Sequence, residues 1–197
     1  CIAACMVIGY ISYTFMHMNI EVDKIETVID HALRGARQSL TNKKHKEQLD
    51  KYAYSSLENL KLDKDDISNF AFRAMGAAIW GLRKYARFSK SKNIIERIVL
   101  NIILEGGDAD CNASIACSLI GAYVGYKQLP SHWIKKLKHK SWLTKHVDDF
   151  CKALEKSKGV DSDSDLDSDE PENDNKKYEY DSDLDNDIPD SESMSNS

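Results

Sequence analysis

The sequence predicts an all-α fold, and three observations support that prediction. Apolar residues recur every three or four positions through most of residues 22–157, which is the spacing of one face of an α-helix. No Asn-Gly or Asp-Gly pair joins two alternating apolar runs, so the usual mark of a β-hairpin is missing. The apolar fraction of 42% excludes a wholly disordered chain.

The apolar spacing predicts the helices in chain order. They cover residues 22–40, about 45–60, 68–87, 93–105, about 110–125, 131–137 and 141–157. The isoleucine-rich run at 93–105 has the composition of a strand, but its three-to-four spacing favours a helix. Small residues in 74–81 permit close contact between helices. We therefore expect a multi-helix domain with its helices packed orthogonally.

Residues 1–20 contain no Asp, Glu, Lys or Arg and have the length of a membrane span. Polar side chains between Ser12 and Asn19 lower the hydropathy, so a buried helix of a large all-α domain is favoured over a span. No basic segment or small-residue cleavage site indicates a signal peptide. We expect no membrane association. The abrupt apolar start at Cys1 indicates the C-terminal part of a longer protein.

The net charge of −5 hides two unlike regions. Residues 160–197 hold 15 acidic residues and 2 lysines, a balance of −13, whereas residues 1–159 hold 25 basic and 17 acidic residues, a balance of +8. The acidic segment has few apolar residues and a near-repeat of Asp and Ser, which predicts disorder. We therefore expect a helical domain over residues 1–158 and a disordered, solvating acidic tail over 159–197.

The remaining polar and aromatic features are typical of a soluble intracellular domain. The five cysteines form no CxxC pair, and their odd number favours free, buried thiols in a reducing compartment, cytoplasmic or nuclear. Trp80, Trp133 and Trp142 are expected to pack in the core rather than to stack on bases. The lysine-rich run at 135–140 is expected to be a solvated helix face, so no nucleic-acid partner is expected.

The chemistry is concentrated in residues 105–112, Glu-Gly-Gly-Asp-Ala-Asp-Cys-Asn. Gly106 and Gly107 would end one helix in a left-handed turn. Asp108 and Asp110 would then lie at the start of the next helix, where a carboxylate can cap free N–H groups. Two carboxylates two residues apart are also oxygen ligands for a hard cation such as Mg²⁺. The residues alone leave both interpretations, capping and metal binding, open.

These residues belong to a longer pattern that resembles a known family. Residues 106–133, GGDADCNASIACSLIGAYVGYKQLPSHW, resemble the C-terminal signature of the ADP-ribosylglycohydrolase family. Two upstream segments are also similar to family helices, FAFRAMGAAIWGLRK at 70–84 and CIAACMVIGYI at 1–11. The resemblance covers roughly residues 1–143.

The resemblance implies a hydrolase that removes ADP-ribose from a modified protein or a related acceptor, with two Mg²⁺ ions, or Mn²⁺, in its site. It implies that Asp108 and Asp110 are metal ligands, with Cys111 at a third ligand position. It also implies that Gly106 and Gly107 let the backbone approach the substrate. We expect a monomer with an ADP-ribosylated protein as its partner. The acceptor linkage does not follow from these residues.

Two departures from the family pattern raise alternatives. Cys111 stands where the family has Thr or Ser, and a thiol is a poor ligand for Mg²⁺. The family's other metal ligands and its catalytic acid are expected upstream of Cys1, so the present chain is expected to be an inactive half of the domain. The active hydrolase is favoured over a degenerate member that keeps the fold for binding. A third hypothesis places the function in the acidic tail.

Overall fold

A computed structural model of the chain describes residues 1–64 and 70–158, and this part contains α-helices and no β-strand. The all-α prediction is confirmed. Two short 3₁₀ helices, Val22–Lys24 and Tyr126–Gln128, accompany the longer elements. The α-helices of the described residues are α1 Ile2–His17, α2 Ile25–Ser39, α3 Lys43–Ala53, α4 Leu57–Leu60, α5 Phe70–Phe88, α6 Ile94–Leu104, α7 Ala109–Val124, α8 Ser131–Lys136 and α9 Lys140–Lys158.

Most predicted helices lie within two or three residues of their observed bounds, but the single helix predicted over 45–60 is wrong. The helix ends at Ala53, and α4 begins at Leu57. The Ser55 hydroxyl donates a hydrogen bond to the Lys51 carbonyl at 2.6 Å, while Ser56 adopts an extended conformation as the N-cap of α4. Serine competes with the helix for backbone hydrogen bonds, and apolar periodicity does not register that competition.

The core is built around α5, which packs against α7 and also contacts α6 and α3. Gly81 permits this close packing. A Cβ at Gly81 would lie 3.2 Å from Ile98 Cγ2 and 3.7 Å from the Cβ of Ala116, so the three helices meet where the side chain is absent. The largest fully buried side chains include Met75, Ile79, Leu82, Ile98, Ile102, Leu119 and Ile120.

The first helix has two apolar faces, and only one of them is buried. Val7 and Ile11 are fully buried against the core, whereas Ile2, Tyr13 and Met16 are more than half exposed. The expectation that this uncharged helix is buried on most sides is therefore wrong for its outer face. Within residues 1–64 and 70–158, none of the helices has the length and apolar character needed to cross a membrane.

The chain divides into two compact units, Cys1–Leu143 and Thr144–Ser197. The first unit contains α1 to α8. The described part of the second unit is the C-terminal portion of α9, and its residues 144–155 are all exposed. The acidic tail over 159–197 lies outside the described residues, so its predicted disorder stays a prediction.

Several side chains expected in the core are at the surface. Trp142 is 61% exposed and Trp133 is 36% exposed, so the core-packing prediction is wrong for both. All five cysteines are free, as expected, but Cys1, Cys5, Cys111 and Cys151 are exposed. The prediction of buried thiols is therefore wrong for these four, which lie on outward faces or at element ends rather than on buried helix faces.

Candidate metal centre

The sequence Glu105-Gly106-Gly107 ends α6 in the left-handed turn that its glycines predict. Glu105 keeps a helical conformation, and Gly106 and Gly107 follow with φ of +76° and +65°. The Gly106 N–H donates to the Ile103 carbonyl at 3.1 Å, which satisfies one of the free carbonyls at the end of the helix. The turn thereby directs the chain from α6 into α7.

The glycine turn packs directly on the loop after α4. A Cβ at Gly107 would overlap the Leu62 carbonyl, and a Cβ at Gly106 would lie 3.9 Å from the Cβ of Asp63. Gly107 is therefore required both by its positive φ and by the approach of the Leu62 backbone. Contact of Gly106 and Gly107 with substrate stays a prediction.

The two carboxylates at the start of α7 differ in their local bonding. Asp108 occupies the N-cap position, but its side chain accepts no capping hydrogen bond. The Asp110 Oδ1 accepts from the Cys111 N–H at 2.9 Å. The expected capping role is therefore not performed by Asp108, whose carboxylate faces its neighbours in the cluster instead.

The ligand atoms of Asp108, Asp110 and Cys111 lie within 4.8 Å of one another, and we call these three side chains the carboxylate–thiol cluster. Hydrogen bonds within the cluster shift the pKa values of Asp110 and Cys111. A hydrogen bond with Asp108, followed by backbone N–H donors, holds the pKa of Asp110 below its ordinary value. A hydrogen bond to Asp108, then desolvation and the two negative charges, raises the pKa of the Cys111 thiol.

The cluster fits a hard cation through its carboxylates and not through its thiol. Asp108 and Asp110 present oxygen atoms, the ligands that Mg²⁺ takes together with several waters. The Cys111 sulfur is soft, and its hydrogen bond to Asp108 raises its pKa, which disfavours the thiolate that metals bind. Asp108 and Asp110 are therefore the residues that would hold Mg²⁺ here, with the remaining positions left to water or to other groups.

Sequence reasoning missed Asn112, the residue that follows the cluster. Asn112 is 2% exposed, and its Oδ1 accepts no hydrogen bond from any residue that the structure describes. A buried, unpartnered amide oxygen is rare and costs free energy of folding. The sequence signal for this residue was an Asn on the first turn of a helix whose other side chains are mostly small or apolar.

The fold and the cluster together define the class of protein: an all-α domain that carries paired carboxylates at the N-terminal end of a central helix. The family model for ADP-ribosylglycohydrolase matches residues 1–160, and the chain belongs to the ADP-ribosylglycohydrolase family. No match was found among curated proteins or among solved structures.

Proposed function

We propose that the protein is a Mg²⁺-dependent hydrolase that releases ADP-ribose from a modified protein or a related acceptor. The observation that carries this proposal is the grouping of Asp108 and Asp110 in the carboxylate–thiol cluster, with an Asp108 carboxylate that does not cap its helix. Membership of the ADP-ribosylglycohydrolase family supports the reaction class. We further propose two ions in the complete site, with Mn²⁺ able to replace Mg²⁺.

The residues of this chain would hold the metal ion, which in turn would orient the substrate. Asp108 and Asp110 lie at the N-terminal end of α7, where the helix dipole favours negative charge. The hydrogen bond with Asp108 and backbone N–H donors lower the pKa of Asp110, which favours the ionised carboxylate that a cation requires. When bound, Mg²⁺ would orient the ribose hydroxyls and stabilise charge that develops during hydrolysis. We propose that the other metal ligands and the catalytic acid belong to a part of the protein that precedes Cys1, so that this chain alone has no turnover.

Metal binding by the chain tests the proposal without requiring turnover. Mn²⁺ titration, followed by the loss of the free-ion electron paramagnetic resonance signal, should show binding that Mg²⁺ displaces. Asp110→Asn should weaken Mn²⁺ binding by about tenfold or more, because one charge-assisted ligand is lost. Asp23→Asn is the matched control, since Asp23 is an exposed carboxylate in another element. Equal binding by the wild type and Asp110→Asn would contradict the metal assignment.

The activity of the longer protein provides the second test. Its release of ADP-ribose from a modified protein should stop in EDTA, return with added Mg²⁺ or Mn²⁺ and disappear in the Asp110→Ala variant. Turnover by that variant in EDTA at the wild-type rate would refute the proposal.

One observation favours a second candidate, a family member that binds without catalysis. The thiol of Cys111 occupies a ligand position and is hydrogen-bonded to Asp108, so it offers little to Mg²⁺. Cys111→Thr should raise the affinity for Mg²⁺, because a hydroxyl oxygen is a harder ligand. A longer protein that binds ADP-ribose but releases none, before and after this substitution, would favour the binding role.

We also propose an intracellular location, cytoplasmic or nuclear, and a monomeric state. The five free cysteines support the location, because exposed thiols persist in reducing compartments. A sedimentation mass above that of the monomer would oppose the monomeric state, and the recovery of disulfide-linked protein from cells would oppose the location.

A further inference from the structure

The C-terminal half of α5 and the start of α6 form a strongly basic surface. Residues 80–97 contain 6 basic residues and a single acidic residue. Arg83 is paired with Glu26, and the single acidic residue, Glu96, lies 3.7 Å from His132. The other five cations of this segment therefore dominate its electrostatic field.

Two of these cations line a cavity of about 330 Å³ between α5 and α6. Lys84 comes from α5 and Arg97 from α6. Neither makes an ion pair with any carboxylate in the described part of the chain. The cavity is also lined by the side chains of Trp80, Phe88 and Asn101. The cavity thus joins two available positive charges to aromatic walls and one amide.

Lys84 lies close to both aromatic rings that line the cavity. Its Nζ lies 5.5 Å from the ring centroid of Trp80 and 5.7 Å from that of Phe88, within the range of cation–π attraction. Arg87 lies over the same Phe88 ring at 5.5 Å. Trp80 packs against the core and is partly buried, and it also lines the cavity, so its expected core role holds in part.

A second cavity of about 490 Å³ adjoins the first and shares Trp80, Lys84 and Asn101 with it. Two carboxylates, Glu58 and Glu105, line this second cavity. The shared groove therefore has positive charge at the Arg97 end and negative charge at the Glu105 end, with aromatic and aliphatic side chains along its walls. An anionic group would bind at the Arg97 end, and a neutral hydrogen-bonding group would be accommodated beside Asn101.

We propose that this groove binds a nucleotide, with its phosphates between Lys84 and Arg97 and its base against Trp80 and Asn101. Lysine and arginine are the usual donors to phosphate oxygens. An indole offers a stacking surface to any base, and an asparagine amide can both donate to and accept from a base edge. Asp108, Asp110 and Cys111 line neither cavity, although Glu105, three residues before Asp108, lines the second. The proposed site therefore uses other side chains than the carboxylate–thiol cluster and goes beyond the proposed hydrolysis.

Calorimetric titration of the full chain with ADP tests the proposal. EDTA is present throughout, so that a metal-dependent site does not contribute. Lys84→Gln and Arg97→Gln should each weaken ADP binding by about tenfold, the effect of losing one charge-assisted hydrogen bond. Lys92→Gln is the matched control, because Lys92 is exposed and lines neither cavity. Trp80→Phe, which keeps an aromatic ring in the core, should weaken binding to a smaller extent.

Separate probes distinguish a nucleotide site from a general anion site. Inorganic pyrophosphate and adenosine should each bind at least about tenfold more weakly than ADP, because each lacks one half of the ligand. Pyrophosphate that binds as tightly as ADP would overturn the base contact, and adenosine that does so would overturn the phosphate contact. Absence of ADP binding would overturn the whole proposal.

The Asp110→Asn variant separates this inference from the proposed hydrolysis. It should bind ADP in EDTA with wild-type affinity while its Mn²⁺ binding is weakened. Loss of ADP binding in this variant would place the nucleotide at the carboxylate–thiol cluster and would overturn the second site. Failure of the wild-type chain to bind Mn²⁺, with ADP binding intact, would count only against the metal assignment.

Discussion

The Arg83 guanidinium joins the Glu26 carboxylate through two of its nitrogen atoms. Nε lies 3.0 Å from Oε1 and 2.9 Å from Oε2, and Nη2 lies 2.6 Å from Oε1. The remaining nitrogen, Nη1, donates to the Ala53 carbonyl at the end of α3. One side chain of α5 therefore ties α2 and the C-terminal end of α3 to the core helix.

The two partners of this contact should differ in their effect on stability. Glu26→Gln should lower the free energy of unfolding by less than about 1 kcal/mol, because the pair is partly solvated and screened. Arg83→Met should lower it by about 2 kcal/mol, since the Ala53 carbonyl also loses a charged donor. Urea unfolding measures both, with exposed Lys90→Met as the control. Equal losses for Glu26→Gln and Arg83→Met would show that the Ala53 contact contributes nothing.

The Gly107 turn should tolerate no side chain. Gly107→Ala combines a left-handed φ with overlap on the Leu62 carbonyl, and should destabilise the fold by more than about 3 kcal/mol. Gly106→Ala isolates the conformational part of this cost, because Gly106 has φ of +76° and a methyl group there would meet only the Asp63 Cβ, at an ordinary contact distance of 3.9 Å. That control should lose about 1 kcal/mol. Thermal unfolding that gives equal losses for the two variants would contradict the packing of the turn on Leu62.

The helices could be predicted from the sequence because their signal is local. The spacing of Ile95, Ile98 and Ile102 defines the buried face of α6 without knowledge of its neighbours. The contact of Arg83 with Glu26 could not be predicted in this way, because 57 residues separate the partners and no pattern within either helix marks the other. The break between α3 and α4 at Ser55 and Ser56 was not predicted for a different reason. A hydroxyl group that ends a helix leaves the apolar spacing unchanged.

The same distinction applies to the sites. Asp108, Asp110 and Cys111 are close together in the chain, so a short loop brings their ligand atoms together and the sequence could indicate the cluster. The groove at Trp80 and Arg97 depends on how α5 packs against α6. From the sequence alone, Trp80 is indistinguishable from a core residue, because its apolar spacing is the same whether or not the side chain also lines a cavity.

Asn112 should limit the stability of the domain. Its buried Oδ1 has no hydrogen-bond partner among the described residues, a state that costs about 1–3 kcal/mol. Asn112→Leu keeps the branched shape and removes the unpaired oxygen, so we expect the free energy of unfolding to rise by about 1 kcal/mol. Asn112→Ala, which leaves a small cavity, should not raise it. A clear loss of stability in Asn112→Leu would show that the oxygen has a partner in solution.

Cys111 should react slowly with alkylating reagents although it is exposed. Its hydrogen bond to Asp108 and the nearby negative charges raise its pKa, so a smaller fraction is thiolate at a given pH, and the thiolate is the reactive form. Asp108→Asn removes one of those charges and should lower the pKa toward its ordinary value. The alkylation rate of Cys111 near pH 8 should then rise several-fold, and the rate profile should move to lower pH. Mass spectrometry of iodoacetamide-treated peptides measures this, with exposed Cys5 as the internal control; an unchanged Cys111 rate would show that Asp108 does not contact the thiol.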